Sequence, residues 1–346
     1  MTNQQKKKDL LAIDLFCGCG GLTLGLKRAG FKIIGAIDND PIAIETYKEN
    51  HPEVNVWEND IRKINISSLR KTLGIKKGDL DLLAGCPPCQ GFSNLRTLNG
   101  AKKIIDNRND LIFEFLRFVK ELRPKTIMME NVPGLMKDLR FSFFYHEIAM
   151  LGYKINYNVL NAGDYGVPQR RKRLLLLAGR KQKITFADKI ESPTVKDFIR
   201  NLPKAGKSGD MLHDFPERRS DSVLRRIMKI PKNGGSRHDL PEKEQLRCHK
   251  NCDGFKDIYG RLSWNKPAPT ITSGCTNPSK GRFLHPSENR SITLREAALL
   301  QTFPMDYYFS IKKGKGAVAI MIGNALPPEF VFRHALQIRK YLVCNG

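Results

Sequence analysis

No stretch of the 346-residue chain is long and apolar enough to cross a bilayer; the longest aliphatic run, Leu174 to Ala178, is the size of one strand. Met1 to Asp9 is polar and lysine-rich and lacks the apolar segment of a secretory signal, so a cytoplasmic protein without membrane attachment is expected. Acidic residues are scarce beside basic ones, 35 against 59, which leaves a formal net charge of +24. Such a surplus attracts polyanions, nucleic acid first among them, with strongly salt-dependent binding. The eight cysteines are scattered through the chain, which fits reduced thiols and argues against a disulfide framework. Cys17/Cys19 and Cys86/Cys89 fall at strand ends, and Cys248/Cys252 has no second pair at ribbon spacing, so no metal is expected. Internal repeats and low-complexity tracts are also lacking.

What is present begins as alternating strands and helices. Leu10 to Phe16 is an apolar strand carrying Asp14, followed by the turn Gly18-Cys19-Gly20-Gly21 and a short helix closed by Gly30. A second strand, Phe31 to Ile37, ends at Asp38-Asn39-Asp40, and Pro41 opens another helix. Glycines before a helix N-terminus let a nucleotide approach the backbone, and Asp38 is placed to accept from ribose hydroxyls. A dinucleotide fingerprint needs glycine three residues after Gly20, where Thr23 stands, so NAD and FAD are disfavoured. A cofactor without pyrophosphate, such as S-adenosylmethionine, needs no such glycine.

Val56 to Ile61 reads as a third strand, ending near Asp60, and residues 79 to 84 as a buried fourth. The fourth delivers Gly85-Cys86-Pro87-Pro88-Cys89-Gln90-Gly91-Phe92-Ser93 to the carboxyl edge of the sheet, where chemistry collects in open α/β folds. Cys89 is thus placed like a nucleophile, the alternatives being a buried thiol or half of a CxxC pair. Residues 94 to 109 form a polar, basic loop with Arg96 and Arg108, suited to a phosphate backbone or merely solvated. Beyond the amphipathic helix Asp110 to Glu121, the strand Lys125 to Met129 ends in Glu130, a carboxylate at the same sheet edge as Cys89. Further strands are expected at Tyr153 to Leu160 and Arg173 to Ala178. Between them, alternation would place Gln169, Arg171 and Arg173 on one face.

From about Lys181 to Arg261 the helix–strand alternation stops, and residues 180–262 carry 20 Lys and Arg against 12 Asp and Glu. Gly234-Gly235-Ser236-Arg237-His238 has the donors to meet base edges or phosphates. Order returns with the capping box Thr293 to Glu296, and Gly323-Asn324-Ala325 precedes a final helix on which Phe332, Ala335, Leu336, Arg339 and Leu342 trace one side.

Six blocks in this order resemble the DNA (cytosine-5)-methyltransferase family in its bacterial restriction-modification style. They are Asp14-Leu15-Phe16-Cys17-Gly18-Cys19-Gly20-Gly21, Pro87-Pro88-Cys89-Gln90, Glu130-Asn131-Val132, Gln169-x-Arg171-x-Arg173, Arg295-Glu296-Ala297 running to Gln301-Thr302-Phe303-Pro304, and Gly323-Asn324-Ala325. The resemblance covers all but roughly residues 185 to 260, and Cys19 is a tolerated departure. It implies a Rossmann-like α/β fold, a mixed sheet with helices on both faces. Residues 1–183, completed by 311–346, would form the catalytic and cofactor-binding domain, and 184–310 a smaller, irregular target-recognition domain and hinge. It implies methyl transfer from S-adenosylmethionine to carbon 5 of a flipped-out cytosine in a short sequence of double-stranded DNA, with S-adenosylhomocysteine as product. Cys89 would add to carbon 6, Glu130 would contact ring nitrogen 3 and the exocyclic amine, and Arg171 and Arg173 would approach the base oxygen. Phe16, Gly18, Gly20, Gly21, Asp38, Asn39, Asp60, Ile61, Pro88 and Asn324 would hold the cofactor. Gln90, Ser93, Arg108, Gln169 and Arg237 would meet DNA. A monomer is expected, with a restriction endonuclease as its genetic partner. Rival readings are tRNA methylation by the same chemistry, a catalytically dead DNA-binding relative, and a thiol–disulfide oxidoreductase using Cys86 and Cys89.

Overall fold

The apolar runs of the first half assemble into one seven-stranded sheet. The computed structural model describes residues 9–88, 110–245 and 257–345, and divides the chain into two units. The first unit comprises Met1–Asn161, Lys172–Lys189 and Pro328–Gly346. Its strands are β1 (Leu10–Leu15), β2 (Phe31–Asp38), β3 (Asn55–Glu58), β4 (Leu82–Gly85), β5 (Thr126–Asn131), β6 (Lys154–Asn161) and β7 (Lys172–Gly179). They are ordered β3-β2-β1-β4-β5-β7-β6. The first five run parallel, and β7 is antiparallel to both β5 and β6. The sheet is therefore mixed, as expected.

Strand order reverses between β1 and β4, and there the carboxyl ends of two parallel strands lie side by side, with Leu15 opposite Gly85. Gly85 is required at this position because a Cβ would come within 2.6 Å of the Leu15 carbonyl oxygen. Helices cover both faces. On one, α3 (Ile66–Leu73), α4 (Leu111–Leu122) and α5 (Leu139–Met150) pack a continuous apolar cluster against Ile13, Leu15 and Leu83. On the other lie α1 (Gly21–Arg28), α2 (Pro41–Asn50) and the last helix, α6 (Pro328–Asn345). Helix α6 approaches α1 so closely that a Cβ on Gly25 would lie 2.5 Å from that of Val331.

Three details depart from the sequence reading. The third strand ends at Glu58, and the Asp60 carboxylate instead caps a 3-10 turn over Ile61–Lys63. Gly323-Asn324-Ala325 precedes the last helix as expected, but it also closes a helix, Gly314–Asn324, that the sequence reading did not include. The buried side of α6 is Val331, His334, Ala335, Ile338, Tyr341 and Leu342, while Leu336 is exposed, so the face is rotated from the one traced by Phe332 and Leu336. Contact with Gly25 at one end and stacking of Tyr341 on Gly179 at the other set that rotation.

The second unit, Ala162–Arg171 and Ile190–Pro327, has among its described residues a two-residue parallel ladder, Gln169–Arg170 with Ala268–Pro269, and isolated bridges of Leu284 with Arg261 and Ser291, among short helices. A small core of Ile227, Ile230, Leu240, Tyr259 and Leu284 supports one part of it. The expected capping box is present: Thr293 N–H donates to Glu296 Oε2 at 2.8 Å, and the Thr293 hydroxyl accepts from Glu296 N–H at 3.1 Å.

Candidate active site

After Leu15 the backbone turns through three left-handed residues, Phe16 (φ 63°), Gly18 (φ 52°) and Gly20 (φ 94°). Phe16 is a bulky residue in a region that side chains rarely occupy, a strain tolerated where the surroundings over-determine it. The turn is tied to the neighbouring strand by Cys17 N–H to the Ile37 carbonyl (3.1 Å) and by Gly18 N–H to Asp38 Oδ2 (2.8 Å). The second Asp38 oxygen accepts from Asp40 N–H at 2.9 Å. Open space borders Gly18 where a Cβ would stand. Gly20 caps α1 without a side-chain partner, and no acidic residue lies in the first turn. Asn39 is exposed beside Asp38, and Ile61 is buried. Asp60 is held by the Arg62 guanidinium fork, 2.7 to 3.1 Å from its oxygens, which keeps its carboxyl below the usual range.

Asp14 lies behind this turn, fully buried. Its Oδ2 accepts from the Thr23 hydroxyl at 2.7 Å, and that hydroxyl lies 2.8 Å from the Tyr47 hydroxyl. Oδ1 has no partner. Burial drives the Asp14 carboxyl up to about 7, opposed by its bonds to Thr23 and reinforced by the charge of Asp38. Burial also raises Asp38. The half-buried Asp38 carboxyl, anchored on the turn by Gly18 N–H, offers acceptors to ligand hydroxyls beside an open glycine turn, so these residues fit S-adenosylmethionine.

A stability test follows. Folded Asp14 keeps its proton up to about pH 7, whereas the unfolded residue releases it near 3.8. The native state therefore holds the extra proton between these values, and stability falls as pH rises through them, by up to roughly 4 kcal/mol. Asp14→Asn is expected to remove that slope, so that the variant gains on the wild type from pH 4 to pH 8 in urea denaturation. Parallel stability curves would refute the assignment.

At the adjoining edge, Glu130 is nearly buried and paired with Arg173, Nε to Oε1 2.8 Å. The sheet register explains the pairing. Glu130 stands opposite Leu175, and Arg173, two residues along β7, projects from the same face as a diagonal neighbour. The thiol of Cys86 also bonds to Glu130. Asn131 Nδ2 donates to the Pro87 carbonyl at 2.8 Å, which fastens Cys86-Pro87-Pro88 to the end of β5. Motif reading did not single out Cys86 or Asn131 for these contacts, although Asn131 belongs to the Glu-Asn-Val block. Half-buried Pro88 is the last described residue of this segment; Cys89, Gln90, Ser93 and Arg108 lie outside the described residues, as do Cys248 and Cys252.

The remaining candidates belong to the second unit. Gln169 and Arg171 are buried and their donors engage internal oxygens, so neither presents a free head to solvent. Gln169 Nε2 donates to the Leu300 carbonyl and to Gln301 Oε1, at 2.9 and 2.7 Å. Arg171 donates to the carbonyls of Ile271, Gly323 and Ala325, each at 3.0 Å. The expected single face of Gln169, Arg171 and Arg173 is not a continuous strand: the ladder ends at Arg170, and β7 begins at Lys172. Asn324 is exposed between the two carbonyls that Arg171 holds. Arg237 is buried in a turn closed by Ser236 and Asp239. Among the described residues no cluster of His, Cys, Asp and Glu could hold a metal ion, and no helix is long and apolar enough to cross a membrane.

Comparison with known proteins matches residues 10–340 to the model of the C-5 cytosine-specific DNA methylases. The chain is 38% identical to the Type II methylase M.HgiDII of Herpetosiphon aurantiacus, over 95% of each sequence. It is 36% identical to the Type II methyltransferase M1.HphI of Haemophilus parahaemolyticus, over 92% of this chain and 84% of that one. Among solved structures, a DNA modification methyltransferase encoded within an E. coli prophage superposes with a TM-score of 0.69 at 27% identity, over 98% of this chain and 100% of the other.

Proposed function

The chain belongs to the C-5 cytosine-specific DNA methylase family, and on that premise we propose that it methylates carbon 5 of cytosine within one short sequence of double-stranded DNA, as the modification half of a restriction-modification pair. The observation that carries the reading is the Glu130–Arg173 pair at the edge where β4 hands the chain to Pro87, Pro88 and Cys89. Carbon 5 of cytosine is a weak nucleophile, and addition of a thiolate to carbon 6 makes it enamine-like. Cys89 is assigned that addition; once carbon 5 carries the methyl group, loss of the carbon 5 proton and expulsion of the Cys89 thiolate restore the ring. Glu130 meets nitrogen 3 and the exocyclic amine of the extruded base and steadies the charge that develops there. Arg173 fixes the carboxylate of Glu130 and approaches the base oxygen. Asn131 holds the proline segment that leads to Cys89. S-adenosylmethionine, when bound, supplies the electrophilic methyl group; Phe16, Gly18, Gly20 and Gly21 line its turn, with Asp38, Asn39, Asp60, Ile61 and Pro88 around it. The first unit is assigned catalysis and cofactor binding, and the second is assigned target recognition.

The test is transfer of radiolabelled methyl from S-adenosylmethionine to unmethylated DNA and, in parallel, to tRNA, with the product mapped at base resolution. Label at cytosine carbon 5 within one short DNA motif is expected. Label confined to tRNA would overturn the DNA assignment, and no label in either, with DNA binding intact, would mark a catalytically dead relative.

A further inference from the structure

Arg261 is fully buried in the second unit, and among the described residues no carboxylate is one of its acceptors. A guanidinium offers five N–H donors, and all five here meet neutral oxygens. Nε donates to the Ile230 carbonyl at 3.1 Å. One terminal nitrogen donates to the carbonyls of His285 (3.0 Å) and Glu288. The other donates to the Ile227 carbonyl (2.7 Å) and to Asn289 Oδ1 (2.8 Å). These acceptors come from two separate segments, the end of the helix Asp221–Lys229 with its exit, and the loop 285–289.

Both segments border the turn from Pro231 to His238. The helix exit runs directly into it. The loop braces it, since Asn233 N–H donates to the Pro286 carbonyl at 2.8 Å. Arg261 also reaches the turn through its backbone, its N–H donating to the Gly235 carbonyl at 2.8 Å. Arg282 completes the clamp by donating to the carbonyls of Gly234 and Arg261, both at 2.9 Å. Within the turn, Asn233 is left-handed (φ 56°), and a Cβ on Gly235 would lie 2.3 Å from the Pro231 carbonyl oxygen, so only one tight path is open. Its exposed residues include Lys232, Asn233 and His238.

We propose that Arg261 is the positioning residue for target selectivity: a buried five-point clamp that fixes the Pro231–His238 turn so that its exposed groups meet base edges in one register. The inference rests on the reading of the second unit as the part that recognises DNA. Rigid placement matters because a side chain discriminates between bases only while its donors are held at the positions one base presents. Lysine preserves the charge but has three donors on a flexible stem, so at least two of the five acceptors lose their partner.

Arg261→Lys separates this role from general stability when assayed below its unfolding temperature, with circular dichroism matching the wild type. Methylation is mapped over a random-sequence DNA library. The expected result is a rise of about tenfold or more in methylation at sites one base removed from the cognate motif, relative to the cognate motif. KM for cognate DNA should rise while kcat falls less than about threefold. Unchanged selectivity in the folded variant overturns the proposal. Should Arg261→Lys fail to fold, Gly235→Ala displaces the same turn from the other side and is expected to relax selectivity in the same direction; unchanged selectivity there also overturns it. Failure of the wild type to methylate any DNA motif would remove the functional reading and this inference with it, whereas a selective wild type with an equally selective variant counts against Arg261 alone.

Discussion

Cys89→Ala is expected to abolish methyl transfer, a loss of at least about 10³-fold in kcat, while DNA binding persists. Cys86→Ala should retain transfer to within about tenfold. The two thiols sit three residues apart in a CxxC pattern, so the contrast decides between a nucleophile and a redox pair. Only a thiolate attacks carbon 6. The Cys86 thiol is pushed well above its ordinary value, first by burial and then by the charge of Glu130, and it bonds to that carboxylate. It therefore remains protonated and cannot serve. Removing its hydrogen bond costs about 1 kcal/mol, or roughly fivefold in rate if all of it falls on the transition state. Radiolabelled transfer measures both variants. DNA containing 5-fluorocytosine supplies an independent readout, because a substituent that cannot leave carbon 5 traps the covalent complex. Wild type and Cys86→Ala should be trapped and Cys89→Ala should not; comparable loss in both variants would sink the assignment of Cys89.

Glu130→Gln should lower kcat by about 10²- to 10³-fold with little change in the KM for cofactor. The amide can still accept from Arg173 but cannot present a carboxylate to nitrogen 3 and the exocyclic amine. Arg173→Ala should be comparably damaging for a different reason. Glu130 is 7% exposed, and removing its partner at 2.8 Å leaves a nearly buried carboxylate without its counter-ion. Breaking such a pair destabilises by about 3–5 kcal/mol. The double variant should be scarcely worse than either single one, since the two side chains act as a unit. Kinetics on the three variants, beside thermal denaturation, give the coupling. Additive losses, or a Glu130→Gln enzyme within threefold of wild type, would count against the carboxylate's role.

Much of this site is legible in the chain alone. The strands β1, β2, β4 and β5 are apolar runs bounded by turn residues, and such runs form strands wherever a sheet covers both their faces. The turn from Phe16 to Gly21 and the Glu130 strand end follow from their order along the chain. The helices Ile66–Leu73, Leu139–Met150 and Gly314–Asn324 do not. The second of these exposes Leu139, Phe143 and Met150, which blurs its amphipathic pattern, and the third is a glycine-containing stretch that resembles a loop. Asp14 is legible as a strand residue; its orphaned oxygen and its link through Thr23 to Tyr47 are not, because they join three elements.

The sequence by itself determined the parallel half of the sheet, the edge at which β1 and β4 meet, and the order of residues competent for chemistry at that edge. Those features depend on local periodicity and on rare residue combinations, both of which are written along the chain. Tertiary structure alone decided which charged groups face a ligand and which hold the protein together. The antiparallel entry of β7 brings Arg173 diagonally onto Glu130, whereas Arg171, two residues earlier in the same motif, is turned to the carbonyls of Ile271, Gly323 and Ala325. Arg261, one arginine among many in a basic segment, becomes a buried clamp only because five oxygens from two distant segments converge on it. An arginine's role is set by whether water or protein oxygens satisfy its donors, and that depends on burial, which non-local packing determines.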